Sequence, residues 1–336
     1  MPELRQDPAT KQWVIIATER AKRPEDYLRH SEKMGYPDYD ESCPFCPGNE
    51  AMTPPEEFSY RREGTGPNTE GWWVRVVPNK FAALVPDGSL SRIRENGFFR
   101  SMSGVGKHEV VIESPVHNAT IGTMDLRQVE EILLICRDRF NKLSQDPRFQ
   151  FVTIFRNHGG LAGTSLIHPH SQIIATPIVP LHIRHRLEEA MRYYDDNGEC
   201  VFCKMLAEEV EIQKRVVLET EGFIAFEAFA SSVPFETWIM PKRHAATYGS
   251  ISTDDAKEFA AVLSRVMKRI YVGLRDPDYN YMIHTAPFKD ADENWYHWFV
   301  QIVPRLTMIA GFELGSRVFI NTTPPEAAAE FLRQGI

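Results

Sequence analysis

One pattern occurs twice in this chain, and it limits the fold more than any other feature. "SCPFCPG" supplies Cys43 and Cys46, and "ECVFCKM" supplies Cys200 and Cys203, with two residues between the thiols each time. The first pair is followed by "HEVVIESPVHNAT", a strand-like run leading to His117. The second is followed by "FETWIMPKRHAAT", leading to His244. Helical periodicity comes next in both places. Apolar residues recur at 126, 129, 133, 136, 140 and 143 within Asp125–Ser144, and at 259, 262, 263, 266 and 270 within Thr253–Leu274. Each helix gives way to a β-rich segment, "FQFVTIFRN" or "YNYMIHTAP". His168 then precedes Gln172 by four residues, as His297 precedes Gln301. Such a repeat predicts a duplicated α+β unit with a junction near Asp195-Asp196-Asn197-Gly198.

Each half therefore supplies two thiols and two imidazoles: Cys43, Cys46, His117 and His168, then Cys200, Cys203, His244 and His297. This is the composition of a closed tetrahedral zinc site, structural because it leaves no open coordination position. The alternative for either half is a reduced thiol pair with loop histidines. Five cysteines in all, an odd count, argue against a disulfide framework. Cys136 falls on the apolar side of the first helix, as a core residue would.

His170 is left over. In "NHGGLAGTSLIHPHSQII" a strand would set His168, His170 and Gln172 on one face, with Pro169 holding His168 extended. The counterpart of His170 in the second half is Phe299, so chemistry is expected in the first half only. A neutral imidazole can attack phosphorus if an acceptor fixes its other N–H, whereas Gln172 can donate a hydrogen bond but cannot act as an acid. The glycines after Asn157 let backbone approach a ligand, and Asn157 and Ser165 add polar groups. The bland reading of His170 is a core histidine bonded to backbone.

The chain has 336 residues, 43% hydrophobic and 25% charged, enough for two core-forming units. A net charge of −8 argues against nucleic-acid partners. No apolar run approaches the roughly 18 residues of a membrane span. The charged start "MPELRQDPATKQW" does not read as a signal segment, so a cytoplasmic location is expected.

His168-Pro169-His170-Ser171-Gln172 resembles the histidine-triad motif in its transferase form, with glutamine in place of the third histidine of the hydrolases. The resemblance covers nearly the whole chain and is to the galactose-1-phosphate uridylyltransferase family. It is carried by "DPATKQWVIIATERAKRP", "CPFCPGNE", "PNKFAAL", "SPVH", the Asn157–Gln172 segment and "AGFELG". It implies an α+β fold of two tandem histidine-triad-like domains, residues 1–195 and 196–336, each with a half-barrel antiparallel sheet plus helices, in a homodimer. It implies ping-pong transfer in which His170 takes the uridylyl group of UDP-glucose and passes it to galactose 1-phosphate, with Gln172 assisting. Two zinc ions per chain are implied, with iron an alternative at one site. By the same resemblance Arg20 and Arg23, beside Lys22, meet phosphates. Asn79 and Phe81 hold the nucleoside, and Glu313 holds the hexose.

The chain also departs from the family pattern. Ser171 replaces a frequent glycine, and Thr307 and Phe312 stand where some members place lysine and tyrosine. "AGFELG" and the second CxxC set resemble ADP-glucose phosphorylase, a related enzyme that adenylylates the histidine and discharges it to phosphate. A catalytically silent nucleotide-binding or zinc-scaffold protein is the alternative from another class. Gln172 speaks against a histidine-triad hydrolase.

Overall fold

The computed structural model describes residues 1–17 and 35–334. Arg20, Lys22 and Arg23 lie outside these described residues. The first half holds β1 (Glu3–Gln6), β2 (Trp13–Ile16), β3 (Phe58–Arg61), β4 (Trp72–Pro78), β5 (Ile93–Glu95), β6 (Phe99–Ser101) and β7 (Lys107–Ile112). Helix α1 (Leu126–Leu143), β8 (Phe151–His158) and β9 (His170–Thr176) complete it. Helices α2 (Leu181–Asn197) and α3 (Val201–Ile212) then lead to β10 (Val216–Glu219), β11 (Phe223–Glu227) and β12 (Thr237–Pro241). The chain closes with α4 (Thr253–Gly273), β13 (Tyr279–His284), β14 (Phe299–Pro304), α5 (Gly311–Ser316), β15 (Phe319–Asn321) and α6 (Pro325–Gln334).

Ten strands form one antiparallel sheet, in the order β10-β11-β12-β14-β13-β8-β9-β7-β4-β3. Outward from the central β8–β13 pair, the first half runs β8, β9, β7, β4, β3 and the second runs β13, β14, β12, β11, β10. Equivalent strands thus occupy mirrored places, and the duplication read from the sequence is built as two half-sheets fused edge to edge. The fusion pairs two edges that separate domains would leave open. The junction expected at Asp195–Gly198 is a helix end rather than a linker. Helix α2 runs through Asp195 and Asp196 and stops at Gly198, whose φ of +73° caps it in the left-handed conformation.

Helices α1 and α4 cover one face of the sheet. The buried stripe of α1 includes Val129, Ile132, Leu133, Cys136 and Phe140, at helical spacing. That of α4 starts after a capping box, in which Ser252 accepts the Asp255 N–H and Asp255 accepts the Ser252 N–H. Both stripes meet Ile154, Ile173, Ala175, Tyr281, Ile283, Val300 and Ile302 in one core. Strand alternation sends the residues between these to the other face: Asn157 on β8, His170 and Gln172 on β9, Asn280 and His284 on β13, Phe299 and Gln301 on β14. There the second half is covered by α2 and α3, and the first half carries Cys43, Phe45 and Cys46 over Val110 and Ile112.

Candidate active site

The strand begins at His170, with His168 just before it, and the two histidines divide the work. The side chains of Cys43, Cys46, His117 and His168 converge, all buried, with ligand atoms within 4.8 Å of one another. Cys46 Sγ is 3.4 Å from His117 Nδ1 and 3.6 Å from His168 Nδ1. A tetrahedral ion with metal–sulfur near 2.3 Å and metal–nitrogen near 2.0 Å requires such edges to be about 3.5 Å. The far nitrogen of His168, Nε2, donates to the Ser114 carbonyl at 2.7 Å, which leaves Nδ1 as a lone-pair donor. Burial pushes the Cys43 thiol up to about 11, so a cation is needed to hold it as thiolate. These residues fit a metal.

The same His168 also supplies the carbonyl that orients the second imidazole. His170 Nδ1 lies 2.8 Å from His168 O, and an oxygen acceptor requires the proton to sit on Nδ1. Nε2 is then the nitrogen with the lone pair. Burial holds His170 below the usual imidazole range, with Arg156 adding to the effect, so the ring is neutral. Phe45 packs edge-on against it, ring centroids 5.4 Å apart.

Gln172 faces the same way and is tied through its oxygen. His108 Nδ1 accepts the Ala83 N–H at 3.2 Å, so its proton is on Nε2, which donates to Gln172 Oε1 at 2.8 Å. The Gln172 amide N–H groups remain for a ligand. Asn79 Nδ2 packs 3.0 Å from the same Nε2, a contact of two donors, while Asn79 Oδ1 accepts the Phe81 N–H. Residues 79–83 therefore join β9 through His108, which accepts from Ala83 and donates to Gln172. His108 was not singled out from the sequence, although it precedes Val110 and Ile112 at the strand period of two.

Ser171 points to the helix face. Its hydroxyl donates to Glu113, which pairs with Arg156, and it lies 3.1 Å from the Tyr281 hydroxyl. The serine-for-glycine departure thus belongs to a buried polar network and does not meet the face that carries His170.

In the second half Cys200, Cys203 and His244 form the mutually close set. His297 stands at its edge, Nδ1 3.5 Å from Cys203 Sγ, and its Nε2 donates to the Pro241 carbonyl at 2.9 Å, as His168 does to Ser114. Cys203 Sγ is 3.2 Å from His244 Nδ1. This donor set fits a metal too, and it is less deeply buried than the first. Where His170 would stand, Phe299 is stacked between Trp238 and His284, at 4.2 Å and 4.6 Å between centroids.

Models of the galactose-1-phosphate uridyl transferase N-terminal and C-terminal domains match residues 1–180 and 186–334. The chain belongs to this transferase family. It is 37% identical to ADP-glucose phosphorylase from Arabidopsis thaliana over 99% of its length and 93% of that protein. It is 33% identical to galactose-1-phosphate uridylyltransferase from Thermotoga maritima, over 99% and 98%. The crystal structure of the Arabidopsis ADP-glucose phosphorylase with bound ADP-glucose superposes with a TM-score of 0.82 at 35% identity, covering 99% of both chains.

Within this galactose-1-phosphate uridyl transferase fold, the remaining expected residues are scattered. Asn157 lies on β8, the strand that pairs with β9, its Oδ1 accepting from Asn280. Ser165 lines an open cavity of about 1290 Å³ shared by Gly159, Gly160, Asp278, Arg305 and Thr307; His170 and Gln172 are not in its wall. Phe81 is 84% exposed. Glu313 caps its own helix, accepting the Ala310 N–H at 3.1 Å, and among the described residues no contact joins it to His170. Among the described residues, no helix is long and apolar enough to cross a membrane.

Proposed function

We propose that this enzyme transfers a nucleotidyl group through His170, as a UDP-glucose–hexose-1-phosphate uridylyltransferase does. The observation that carries the reading is the Nδ1–H bond from His170 to the His168 carbonyl. It exposes the Nε2 lone pair and supports the positive charge that grows on the ring during attack. Nε2 attacks the α-phosphorus of a nucleotide sugar. The N–P bond forms as the P–O bond to the hexose 1-phosphate breaks, and the electron pair leaves with that oxygen. In the second step an oxygen of the acceptor phosphate displaces the histidine, whose lone pair returns to Nε2. Gln172 donates to a phosphoryl oxygen in both steps. Its amide has no proton to give a leaving group, and a departing phosphate needs none.

Arg20, Arg23, Asn79, Phe81, Asn157, Ser165 and Glu313 are proposed to bind the substrates. Both Cys/His clusters are proposed to hold zinc in a structural role, in a cytoplasmic homodimer of chains with domains 1–195 and 196–336. A second reading, adenylyl transfer from ADP-glucose to phosphate, is favoured by Thr307 and Phe312 in place of lysine and tyrosine. The 37% identity to an ADP-glucose phosphorylase supports it as well.

Intact-protein mass spectrometry after separate incubation with UDP-glucose and ADP-glucose tests both readings. A uridylyl adduct supports the first and an adenylyl adduct the second. No adduct with either would end both.

A further inference from the structure

We propose that Asn280, contributed by the second half of the chain, is a positioning residue for transfer at His170. It fixes the Asn157 amide so that its N–H groups meet the phosphoryl group. The proposal rests on the reading of His170 as nucleophile.

Strands β13, β8 and β9 are adjacent, and Asn280 is the direct partner of Asn157. The ladder of β8 and β9 pairs Phe155 with Gln172 and ends with Arg156 against Ser171; one further step of the same register brings Asn157 level with His170. Asn280, Asn157 and His170 therefore form a row across one face of the sheet. At about 4.8 Å per strand, Asn280 is about 10 Å from the nucleophile, so it acts through its neighbour.

The orientation of each amide follows from its partners. Arg305 Nε donates to Asn280 Oδ1 at 2.5 Å, and a guanidinium has only donors, so the Asn280 oxygen must face it. Asn280 Nδ2 is then turned to Asn157 Oδ1 at 2.7 Å and to the Ala162 carbonyl at 2.9 Å. With its oxygen taken, Asn157 presents its NH2 end. An amide without these links could turn over and aim its oxygen at phosphate, a repulsive contact.

The bond to Ala162 extends this control to the glycine-rich loop. The same loop is gripped by Asp278, whose carboxylate accepts the Leu161 N–H at 2.7 Å. Asn280 is 7% exposed, so its polar atoms depend on these partners. The second half, which lacks a nucleophile, thereby orders the loop and the amide beside the one in the first.

The test compares single-turnover adduct formation, steady-state kinetics and thermal midpoints of the full chain, using whichever of UDP-glucose and ADP-glucose labels the wild type. Asn280→Ala should slow adduct formation by about ten- to a hundredfold, less than the roughly hundred- to thousandfold cost of losing a transition-state donor outright, with KM within about twofold. Asn280→Asp keeps the shape but replaces both donors by acceptors. It should slow the reaction further, because Asn157 would turn its NH2 end inward. Adding Asn280→Ala to Asn157→Ala should cost nothing more. Arg305→Met, which leaves the strand intact, should behave in the same way in both backgrounds. Losses that multiply with Asn157→Ala, or an Asn280→Ala enzyme as fast as wild type, overturn the proposal. A wild type that forms no adduct overturns the reading of His170 and the proposal with it.

Discussion

At the scale of single residues, the side chains around His170 are arranged by their second hydrogen bonds. His168 gives its ring to the first Cys/His cluster and its carbonyl to His170. His170→Asn should therefore abolish the nucleotidyl adduct and lower turnover by more than about a thousandfold, while metal content and thermal midpoint stay near wild type. His168→Asn should instead lose metal and stability together, since metal binding is coupled to folding. Metal analysis beside intact mass separates the two, and a stable adduct on the His170 variant would contradict the assignment. Gln172 reaches the site through its tie to His108. Gln172→Ala should lower kcat in both half-reactions more than it weakens nucleotide-sugar binding. A variant that loses only affinity would make Gln172 a passive contact.

Elements set where such residues can stand. The loop between β8 and β9 contains Gly159, whose φ is +84° and whose added Cβ would come within 2.0 Å of Asp278 Oδ1. Gly160, one residue on, has open space around it. Gly159→Ala should cost about 2 kcal/mol or more and slow adduct formation, because left-handed backbone and a clash act together. Gly160→Ala should be close to neutral. Thermal melts of the pair check this, and equal effects would mean that the grip of Asp278 on the loop is unimportant. In α4 the capping box carries a local share of stability, and Ser252→Ala should cost about 1 kcal/mol.

Across the whole molecule, two half-sheets share one continuous sheet, so damage in one half reaches the other as lost stability. Cys200→Ser should lower the thermal midpoint, yet the folded fraction should still label at His170, because the second cluster does not touch the nucleophile. Cys43→Ser should lose both. Labelling that fails equally in the two variants would refute this division.

Stability also depends on pH through Glu227, fully buried on β11, with Oε1 accepting from Thr237. Burial raises it from 4.5 to about 8. The folded state thus keeps a proton that the unfolded chain releases, and the carboxyl's stabilising contribution is complete below 4.5. It is lost progressively as pH rises toward about 8. Glu227→Gln should flatten that decline in denaturant melts, and an unchanged slope would show that Glu227 is ionised when folded.

Much of this was legible in the sequence because it depends on short-range periodicity and on ligand chemistry. The repeated CxxC pairs and histidines marked both clusters, since two thiols and two imidazoles at matching intervals have few other uses. The stripes of α1 and α4 followed from apolar spacing, and the parity of β9 put His170 and Gln172 on one face. Other features were decided only in three dimensions. Asn280 meets Asn157, and Tyr281 meets Ser171, because β8 pairs with β13. That pairing joins segments far apart in the chain to satisfy two open sheet edges, and no local pattern encodes it. His108 became part of the site only when β7 lay beside β9 in the register that brings Val110 against Gln172. Composition likewise could not set His297 at the margin of its cluster, because the position of a ligand depends on how its strand is packed. Spacing picked out His170, Gln172 and the two Cys/His sets, and strand pairing determined which other residues surround them.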